Sequence, residues 1–434
     1  MQLSNFGEKF TANTGILELM DDLGRALATG DHVAMFGGGN PAAIPAVQNL
    51  LEDEVAAMLR RPQAFRDCIG NYDPPQGNPG FVQAVADYLN KAMGWDIAAE
   101  NIAITPGSQT GFFMLFNLLA GESRGGARKI LFPLVPEYIG YADQGIQPDM
   151  FDAVRPRIEA RGEHGFKYRI DFEALKIEPH HAAICLSRPT NPTGNVVTDE
   201  ELGRLEALAK KHGIPLIIDN AYGQPFPGVM TDSAHLPAWD ESKVYSFSLS
   251  KIGLPSSRVG IFVARPEIAA AMSKANAILS LASPTFGQAL GASLMRDGSL
   301  ERICRQHIQP YYRGAADFAG KVLAAKLGDL PYRVHEYEGS YFFWLWLPEL
   351  PVSSKELYGR LKERGVIVVP GEYFFPGLEN VRWHHKHECM RLNFARPKHE
   401  IEAGFTILAK EIERAYAGNY ASLASASTNL RMIS

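Results

Sequence analysis

Residues 213–222 read Gly-Ile-Pro-Leu-Ile-Ile-Asp-Asn-Ala-Tyr, and this stretch decides the fold class. Ile214 and residues 216–218 form a short apolar run without polar alternation, which is typical of a strand buried on both faces. The run ends in Asp219, a carboxylate that is costly to bury unless it meets a cation. The pattern predicts a buried parallel strand with a charged group at its carboxyl end. A helix N-cap is the alternative role for Asp219.

Strands and helices alternate on both sides of this stretch. A helix precedes it, because Thr198 and Glu201 form a capping box and Gly213 provides the C-terminal stop. Further apolar runs predict strands at Ile102–Thr105, Lys129–Leu134, Ala182–Ser187, Val244–Leu249 and Val259–Ala264. This alternation predicts an α/β fold, with a mostly parallel sheet covered by helices on both faces.

The last third of the chain has a different pattern of predicted elements. Aromatic residues dominate Tyr332–Leu347, a capped helix runs from Ser353 to Gly365, and short strands are predicted at Val366–Val369 and Met390–Phe394. Ile401 begins the apolar face of a long terminal helix. We therefore expect a second, smaller α+β domain. The expected division is an N-terminal segment of the small domain at 1–48, the large α/β domain at 49–310, the rest of the small domain at 311–420 and a tail at 421–434.

The bulk composition narrows the class of protein. The chain has 434 residues, 46% of them hydrophobic and 21% charged, with a formal net charge of −5. This balance gives no support to nucleic acid or an anionic membrane as a partner. Residues 1–10 lack the apolar segment of a secretory signal. The cysteines are scattered, so we expect free thiols and a cytoplasmic protein.

Polar residues follow the predicted strands, where ligands of α/β sheets bind. They include Ser108 and Gln109, Asn191, Asp219 and Tyr222, and the run Ser248, Ser250 and Lys251. Lys251 alone would be a surface lysine. The combination suits pyridoxal 5′-phosphate (PLP), which needs an amine for its aldehyde, a carboxylate for its pyridine nitrogen and donors for its phosphate.

Three motifs resemble those of the fold-type I PLP-dependent aminotransferases. They are Asn191-Pro192-Thr193-Gly194, Asp219-Asn220-Ala221-Tyr222, and Ser248-Leu249-Ser250-Lys251 followed by Arg258-Val259-Gly260. The resemblance extends from about Gly37 to Phe394. It implies a large domain with a mostly parallel seven-stranded sheet, a smaller α+β domain, and PLP as cofactor.

The resemblance also implies roles for individual residues. Lys251 would form the Schiff base and carry the proton between the substrate Cα and the cofactor C4′. Asp219 would pair with the pyridine nitrogen, and Asn191 and Tyr222 would donate to the phenolate oxygen. Tyr138 would stack on the ring, although it could be an ordinary core tyrosine. The phosphate would be held by Ser108, Gln109, Ser248, Arg258 and Ser250.

Three further residues match positions that bind substrate or cross between subunits. Arg391 matches the arginine that grips the substrate α-carboxylate, which a planar guanidinium binds with two hydrogen bonds. Asn191 and the backbone at Gly39 would approach the same carboxylate. Tyr72 matches the tyrosine lent to the neighbour's phosphate, which implies a homodimer. A turn aromatic beside proline is the other interpretation of Tyr72.

Residues 383–389, Trp-His-His-Lys-His-Glu-Cys, contain many possible metal ligands. Their spacing is not that of a helical histidine pair, and no second ligand cluster accompanies them. We therefore predict a loop near the site entrance and no metal.

Within the family, the chain resembles the valine–pyruvate aminotransferases, on motifs such as Gly37–Ala42, Pro136–Ala142 and Phe374–Gly377. This implies amino-group transfer between an aliphatic amino acid and a 2-oxo acid. Phe36, Tyr341 and Phe342 could line a small apolar pocket, although core packing explains them as well. A β-C–S lyase, or an aminotransferase for alanine or aromatic amino acids, is the alternative. A DNA-binding regulator is disfavoured because no helix-turn-helix segment precedes Gly37.

Overall fold

The computed structural model describes residues 2–12, 14–29, 34–231 and 234–418, with side chains at 26–29 left aside. The predicted tail at 421–434 lies outside these residues. The helices are α1 Asn5–Phe10, α2 Gly15–Thr29, α3 Pro45–Leu59, α4 Pro62–Gly70, α5 Pro79–Met93, α6 Ser108–Leu119, α7 Asp199–His212, α8 Pro266–Ser280, α9 Thr285–Arg296, α10 Ser299–Ile303, α11 Gln309–Leu327, α12 Ser354–Glu363 and α13 Lys398–Tyr416. The strands are β1 Ala34–Met35, β2 Ile102–Pro106, β3 Gly121–Ser123, β4 Gly126–Phe132, β5 Phe151–Ala153, β6 Arg157–Arg161, β7 Gly165–Arg169, β8 His181–Ser187, β9 Leu216–Asp219, β10 Lys243–Ser248, β11 Val259–Val263, β12 Arg333–His335, β13 Phe342–Trp346, β14 Val366–Ile367, β15 Val369–Pro370 and β16 Cys389–Asn393.

The large sheet has eight strands in the order β2-β11-β10-β9-β8-β4-β3, and β5 also pairs with β4. Strands β10, β9, β8, β4 and β5 run parallel, whereas β11 is antiparallel to both of its neighbours. This confirms the predicted mostly parallel sheet. The eighth strand is β3, which forms a short antiparallel pair with β4 and carries no apolar run that could have predicted it.

The second sheet has six strands in the order β15-β16-β13-β12-β7-β6. Strands β6 and β7 come from residues 157–169, within the range expected to form the large domain. They pair with each other, and β7 pairs in parallel with β12. This second sheet is therefore assembled from two separate parts of the chain.

The helix before β9 begins and ends as its sequence predicts. Thr198 Oγ1 accepts from the Glu201 amide at 3.2 Å, and the Glu201 carboxylate accepts from the Thr198 amide at 3.1 Å. Gly213 closes α7 in the left-handed conformation, with φ of 65°. The cap at Thr198 and the glycine at 213 set where α7 begins and ends. They thereby set where β9 begins and place Asp219 at its carboxyl end.

The N-terminal residues join the C-terminal part of the fold. Strand β1 pairs in parallel with β14, and the Asn393 amide donates to the Phe36 carbonyl at 2.8 Å. Helix α2 packs beside α12. Among the helices in the described ranges, none is both long enough and apolar enough to cross a bilayer.

Candidate active site

A cavity of about 400 Å³ opens at the carboxyl ends of β8, β9 and β10. Every predicted site residue except Tyr72 lines it. These residues are Gly39, Ser108, Gln109, Tyr138, Asn191, Asp219, Tyr222, Ser248, Ser250, Lys251, Arg258 and Arg391. Tyr72 lies elsewhere on the surface and is 87% exposed.

Lys251 lies in a 3-10 turn, Leu249–Ile252, directly after β10. Its Nζ donates to the Gly39 carbonyl at 3.0 Å and lies 5.3 Å from the centre of the Tyr222 ring. The pKa of Lys251 is lowered to about 8, first by burial and then by the nearby Arg391 cation, while Asp219 opposes the change. The amine is therefore largely neutral at mildly alkaline pH, which is the state that reacts with a carbonyl carbon.

Asp219 is buried at the end of β9 and accepts three hydrogen bonds. The donors are Tyr141 Oη at 2.5 Å, Ser246 Oγ at 2.8 Å and the Ala221 amide at 3.1 Å. Burial raises the pKa of Asp219 despite these donors, because the carboxylate forms no close ion pair in the described part of the chain. The site is thus prepared to receive a cationic N–H group.

Arg391, on β16, is a fully buried guanidinium with an incomplete set of partners. Its Nη1 donates to Asn191 Oδ1 at 2.8 Å and its Nη2 to the Gly37 carbonyl at 2.6 Å. Its Nε has no hydrogen-bond partner among the described residues. Phe342 and Phe374 lie 4.2 and 5.3 Å from the guanidinium carbon. Arg391 can therefore bind a planar anion from the cavity.

Gly107 and Arg258 form the opposite end of the cavity, at the start of α6. Gly107 has φ of 86°, and a Cβ at this position would lie 2.2 Å from Arg258 Nη2. The first amides of α6 follow, and Ser108 Oγ donates to the Phe247 carbonyl at 3.3 Å. A helix N-terminus beside an arginine and a hydroxyl is a favourable place for a phosphate. Ser248 Oγ, at the next strand end, accepts from the Ser250 amide at 3.1 Å.

The remaining predicted residues are aromatic or amide side chains. Tyr222 packs edge-on against Tyr341, with ring centres 5.1 Å apart, and burial raises its pKa. Tyr138 packs edge-on against Tyr141 at 5.3 Å. Gln109 Nε2 is 3.4 Å from the Gly140 carbonyl, and Gln109 Oε1 has no partner among the described residues.

The glycine segment Gly37–Gly39 is held by side chains at three consecutive carbonyls. Arg391 donates to the first, Asn393 Nδ2 to the second at 2.6 Å, and Tyr341 Oη to the third at 2.6 Å. The segment thereby links the site to β16 and to Tyr341, the residue directly before β13.

Sequence reasoning missed two contributors to the site. Tyr141 holds Asp219, and its position three residues after Tyr138 in Glu137–Tyr141 was the only available signal. Helix α2 supplies the apolar wall through Ile16, Leu19 and Leu23. Phe36, Tyr341 and Phe342 are buried and do not line the cavity, so core packing, the alternative interpretation of these residues, describes them.

The histidine-rich residues 383–389 are held by structural contacts. His384–His387 form a 3-10 turn, His385 bonds to Tyr168 Oη, and His387 Nδ1 bonds to Glu372 at 2.8 Å. Among the described residues, the group spaced to hold a metal ion lies elsewhere, at Asp152, His180 and His181. There the Glu178 amide donates to His181 Nδ1, so Nε2 carries the proton given to Asp152 and is not free to bind a metal.

Comparison with known proteins agrees with the geometry of the site. A model of aminotransferases of class I and II matches residues 46–405. The valine–pyruvate aminotransferase of Escherichia coli K12 is 47% identical over 421 residues, covering 97% of this chain and 100% of that enzyme. The crystal structure of the valine–pyruvate aminotransferase from Salmonella typhimurium LT2 superposes with a TM-score of 0.85 at 45% identity, covering 93% and 99% of the two chains.

A single mutant of Thermus thermophilus aspartate aminotransferase shares the fold, with a TM-score of 0.77 at 19% identity over 95% of this chain and 100% of the other. The family model and the E. coli relative both match most of the chain, and the site geometry agrees with them. The chain belongs to the class I and II aminotransferases, a PLP-dependent enzyme family.

Proposed function

We propose that this aminotransferase binds PLP and exchanges an amino group between L-valine and pyruvate, giving 2-oxoisovalerate and L-alanine. The observation that carries the proposal is the cavity in which Lys251, Asp219 and Arg391 meet an apolar wall from α2. The 47% identity to the E. coli valine–pyruvate aminotransferase supports the same substrates.

The groups left without complementary partners fit PLP. Asp219 is a buried carboxylate that receives only neutral donors in the described part of the chain, so a protonated pyridine nitrogen would supply the missing positive charge. Because Gly107 has no Cβ, the Arg258 guanidinium can lie against the backbone there, at a helix N-terminus suited to phosphate. Asn191 Oδ1 accepts from Arg391 Nη1, so the Asn191 Nδ2 group faces the other way and could donate to the phenolate oxygen.

Lys251 performs the acid–base work in this proposal. When bound, PLP supplies an aldehyde that accepts the amino group and an aromatic ring that withdraws negative charge from the substrate Cα. Lys251 Nζ would hold the cofactor through its aldehyde, and the same amine would serve as the base for the proton on the substrate Cα. Its lowered pKa keeps the amine available as a base near neutral pH.

Arg391 orients the substrate through its carboxylate. Its guanidinium already faces acceptors at Asn191 and Gly37, and a carboxylate can replace the neutral Gly37 carbonyl with a charged acceptor. A charge-assisted bidentate pair is roughly twice as strong as a neutral hydrogen bond. The substrate Cα is then held on the side of the cavity that Lys251 faces.

The lining of the cavity favours a monocarboxylate with an aliphatic side chain. Among the described lining residues, the guanidinium groups are those of Arg258 and Arg391. Arg258 lies beside Gly107 at the proposed phosphate position, and Arg391 serves the α-carboxylate. A second substrate carboxylate would therefore lose its hydration without gaining a cation of its own.

A homodimer completes the proposed site. Tyr72 is exposed and does not line its own cavity, which supports a role at the phosphate of a neighbouring subunit. The four cysteines are free and buried, which agrees with a reducing compartment such as the cytoplasm.

A donor and acceptor screen on the purified protein tests this function. We expect a visible cofactor band that borohydride abolishes, and kcat/KM with pyruvate higher for valine than for aspartate or phenylalanine. Aspartate as the preferred donor would overturn the substrate proposal. Release of ammonia without an acceptor would instead indicate a lyase.

A further inference from the structure

Helix α2 presents one apolar face to the cavity. Its side chains Ile16, Leu19, Met20 and Leu23 follow the spacing of a single helical face and all line the cavity. Leu19 is buried, whereas Met20 is 58% exposed. The face therefore extends from the interior of the cavity, at Leu19, towards solvent at Met20.

Leu19 and Leu23 lie close to the carboxylate-binding arginine. A methyl group placed on Gly37 would be 3.2 Å from Leu19 Cδ1, and one placed on Gly38 would be 3.7 Å from Leu23 Cδ2. The Gly37 carbonyl is itself the acceptor of Arg391 Nη2, at 2.6 Å. These leucines thus lie beside the position of the substrate carboxylate, and an amino-acid side chain begins only one carbon away from that group.

We propose that Leu19 and Leu23 form the subsite for the substrate side chain and set the preference for short, branched aliphatic amino acids. This inference rests on the proposed function, since it assumes that Arg391 binds the α-carboxylate. Valine gains contact with both leucines, whereas alanine has only one methyl group to bury.

The opposite side of α2 is fixed to the C-terminal part of the fold. Asp22 is 2% exposed and accepts from Tyr358 Oη and Lys362 Nζ, each at 2.5 Å. Glu18 accepts from Tyr373 Oη at 2.6 Å. Asp22 is therefore a positioning residue, because its contacts with α12 hold the two leucines at a fixed distance from Arg391.

Substitution of each leucine tests the subsite. For Leu19→Ala and Leu23→Ala, we expect the ratio of kcat/KM for valine to that for alanine to fall about tenfold, since one methylene in an apolar pocket changes specificity by about that factor or more. Leu17→Ala is the matched control, because Leu17 is on the same helix, is 42% exposed and does not line the cavity. Its ratio should remain within twofold of the wild type. An unchanged ratio in both cavity variants would overturn the inference.

A binding measurement separates this inference from the proposed function. Isovalerate carries the valine side chain without an amino group, and acetate is its counterpart without the side chain. By calorimetry on the PLP-loaded enzyme, we expect Leu19→Ala to weaken isovalerate binding about tenfold and to leave acetate binding unchanged. A wild type that prefers a donor other than valine contradicts the proposed function. Loss of acetate binding to the same extent as isovalerate contradicts the subsite.

Asp22→Asn tests the positioning role. We expect a reduced preference for isovalerate over acetate, with the visible spectrum of the bound cofactor unchanged. A lower melting temperature with the wild-type preference would assign Asp22 a role in stability alone and refute the positioning role.

Discussion

The chemistry of Lys251 depends on groups that lie far from it in the sequence. Its backbone follows β10, its Nζ bonds to Gly39, and its pKa is lowered by burial and then by the Arg391 cation. The motif Ser-Leu-Ser-Lys predicts the position of the lysine. Its electrostatic environment could not be predicted, because a Coulomb interaction depends on distance in space and not on separation in sequence.

The pKa of Lys251 predicts the pH dependence of cofactor uptake. Only the neutral amine attacks the aldehyde, so the rate at which apoenzyme gains its visible band should rise with pH through about 8 and then level off. In Arg391→Met the nearby cation is lost, and the pKa of Lys251 should move up towards its usual 10.5. Stopped-flow measurements from pH 6 to about 10 would locate both midpoints.

Arg305→Met, at an exposed arginine outside the cavity, is the control and should keep the wild-type midpoint. Equal midpoints in wild type and Arg391→Met would contradict this explanation.

Arg391→Lys tests the geometry of carboxylate binding. Lysine keeps a positive charge but cannot form two parallel hydrogen bonds or stack between Phe342 and Phe374 as a flat group. We expect kcat/KM for every amino-acid donor to fall roughly 10²-fold, with PLP still bound. The control is Arg396→Lys, since the Arg396–Glu400 pair lies one helical turn apart near the start of α13. A comparable loss in the control would indicate a general effect on folding.

At the scale of secondary structure, the sequence predicts the elements that carry strong local signals. The capping box at Thr198 and the apolar run to Asp219 have the predicted bounds to within a residue. Strands β6 and β7 were not predicted, because β6 alternates charged residues on an exposed surface and depends on β7 for its pairing. The role of α2 was not predicted either, since an amphipathic pattern shows that one face is buried but not which partner covers it.

Gly107→Ala tests the junction between β2 and α6. An added Cβ would meet the Arg258 guanidinium at 2.2 Å and would also be strained at φ of 86°. We expect PLP affinity to fall at least about tenfold, because the arginine must leave its position beside the helix N-terminus. The matched control is Gly94→Ala, which has φ of 66° and nothing within 4 Å of an added Cβ.

Spectroscopic titration with PLP and thermal melting distinguish the two effects in these variants. Gly94→Ala should lose about 1 kcal/mol of stability from its left-handed backbone. Gly107→Ala should lose about 1–3 kcal/mol, because φ of 86° with ψ of 156° is a conformation that only glycine commonly adopts. Only Gly107→Ala should also lose cofactor affinity. Equal losses of affinity in both variants would show that strain, and not displacement of Arg258, is responsible.

At the scale of the whole molecule, one exposed apolar surface is consistent with the proposed homodimer. Ile278, Leu279 and Leu281 expose large apolar side chains at the end of α8. This end is tied to the turn after Tyr72, because Asn276 Nδ2 donates to the Pro75 carbonyl at 2.8 Å. A soluble monomer rarely exposes such a group of side chains together. The position of Tyr72 beside this surface supports the proposal that its side chain reaches the site of the neighbouring subunit.

Mixing two inactive variants tests whether Tyr72 acts across the interface. Tyr72→Ala should lack the hydroxyl needed by the neighbour, and Lys251→Ala should lack the amine in its own site. A mixed dimer has one site that combines Lys251 of one subunit with Tyr72 of the other. Refolding the two variants together at limiting PLP should therefore restore up to about a quarter of the wild-type activity, if subunits associate at random as an isologous dimer.

The pairing of Lys251→Ala with Asp219→Ala is the matched control. Lys251 and Asp219 line the same cavity within one chain, so no combination of these two subunits produces a complete site. Native mass spectrometry would establish that mixed dimers form in both experiments. Activity regained only with Tyr72→Ala would place Tyr72 in the partner's site. Mixed dimers without regained activity would instead assign Tyr72 to its own surface, and the single chain would then contain every residue that its reaction needs.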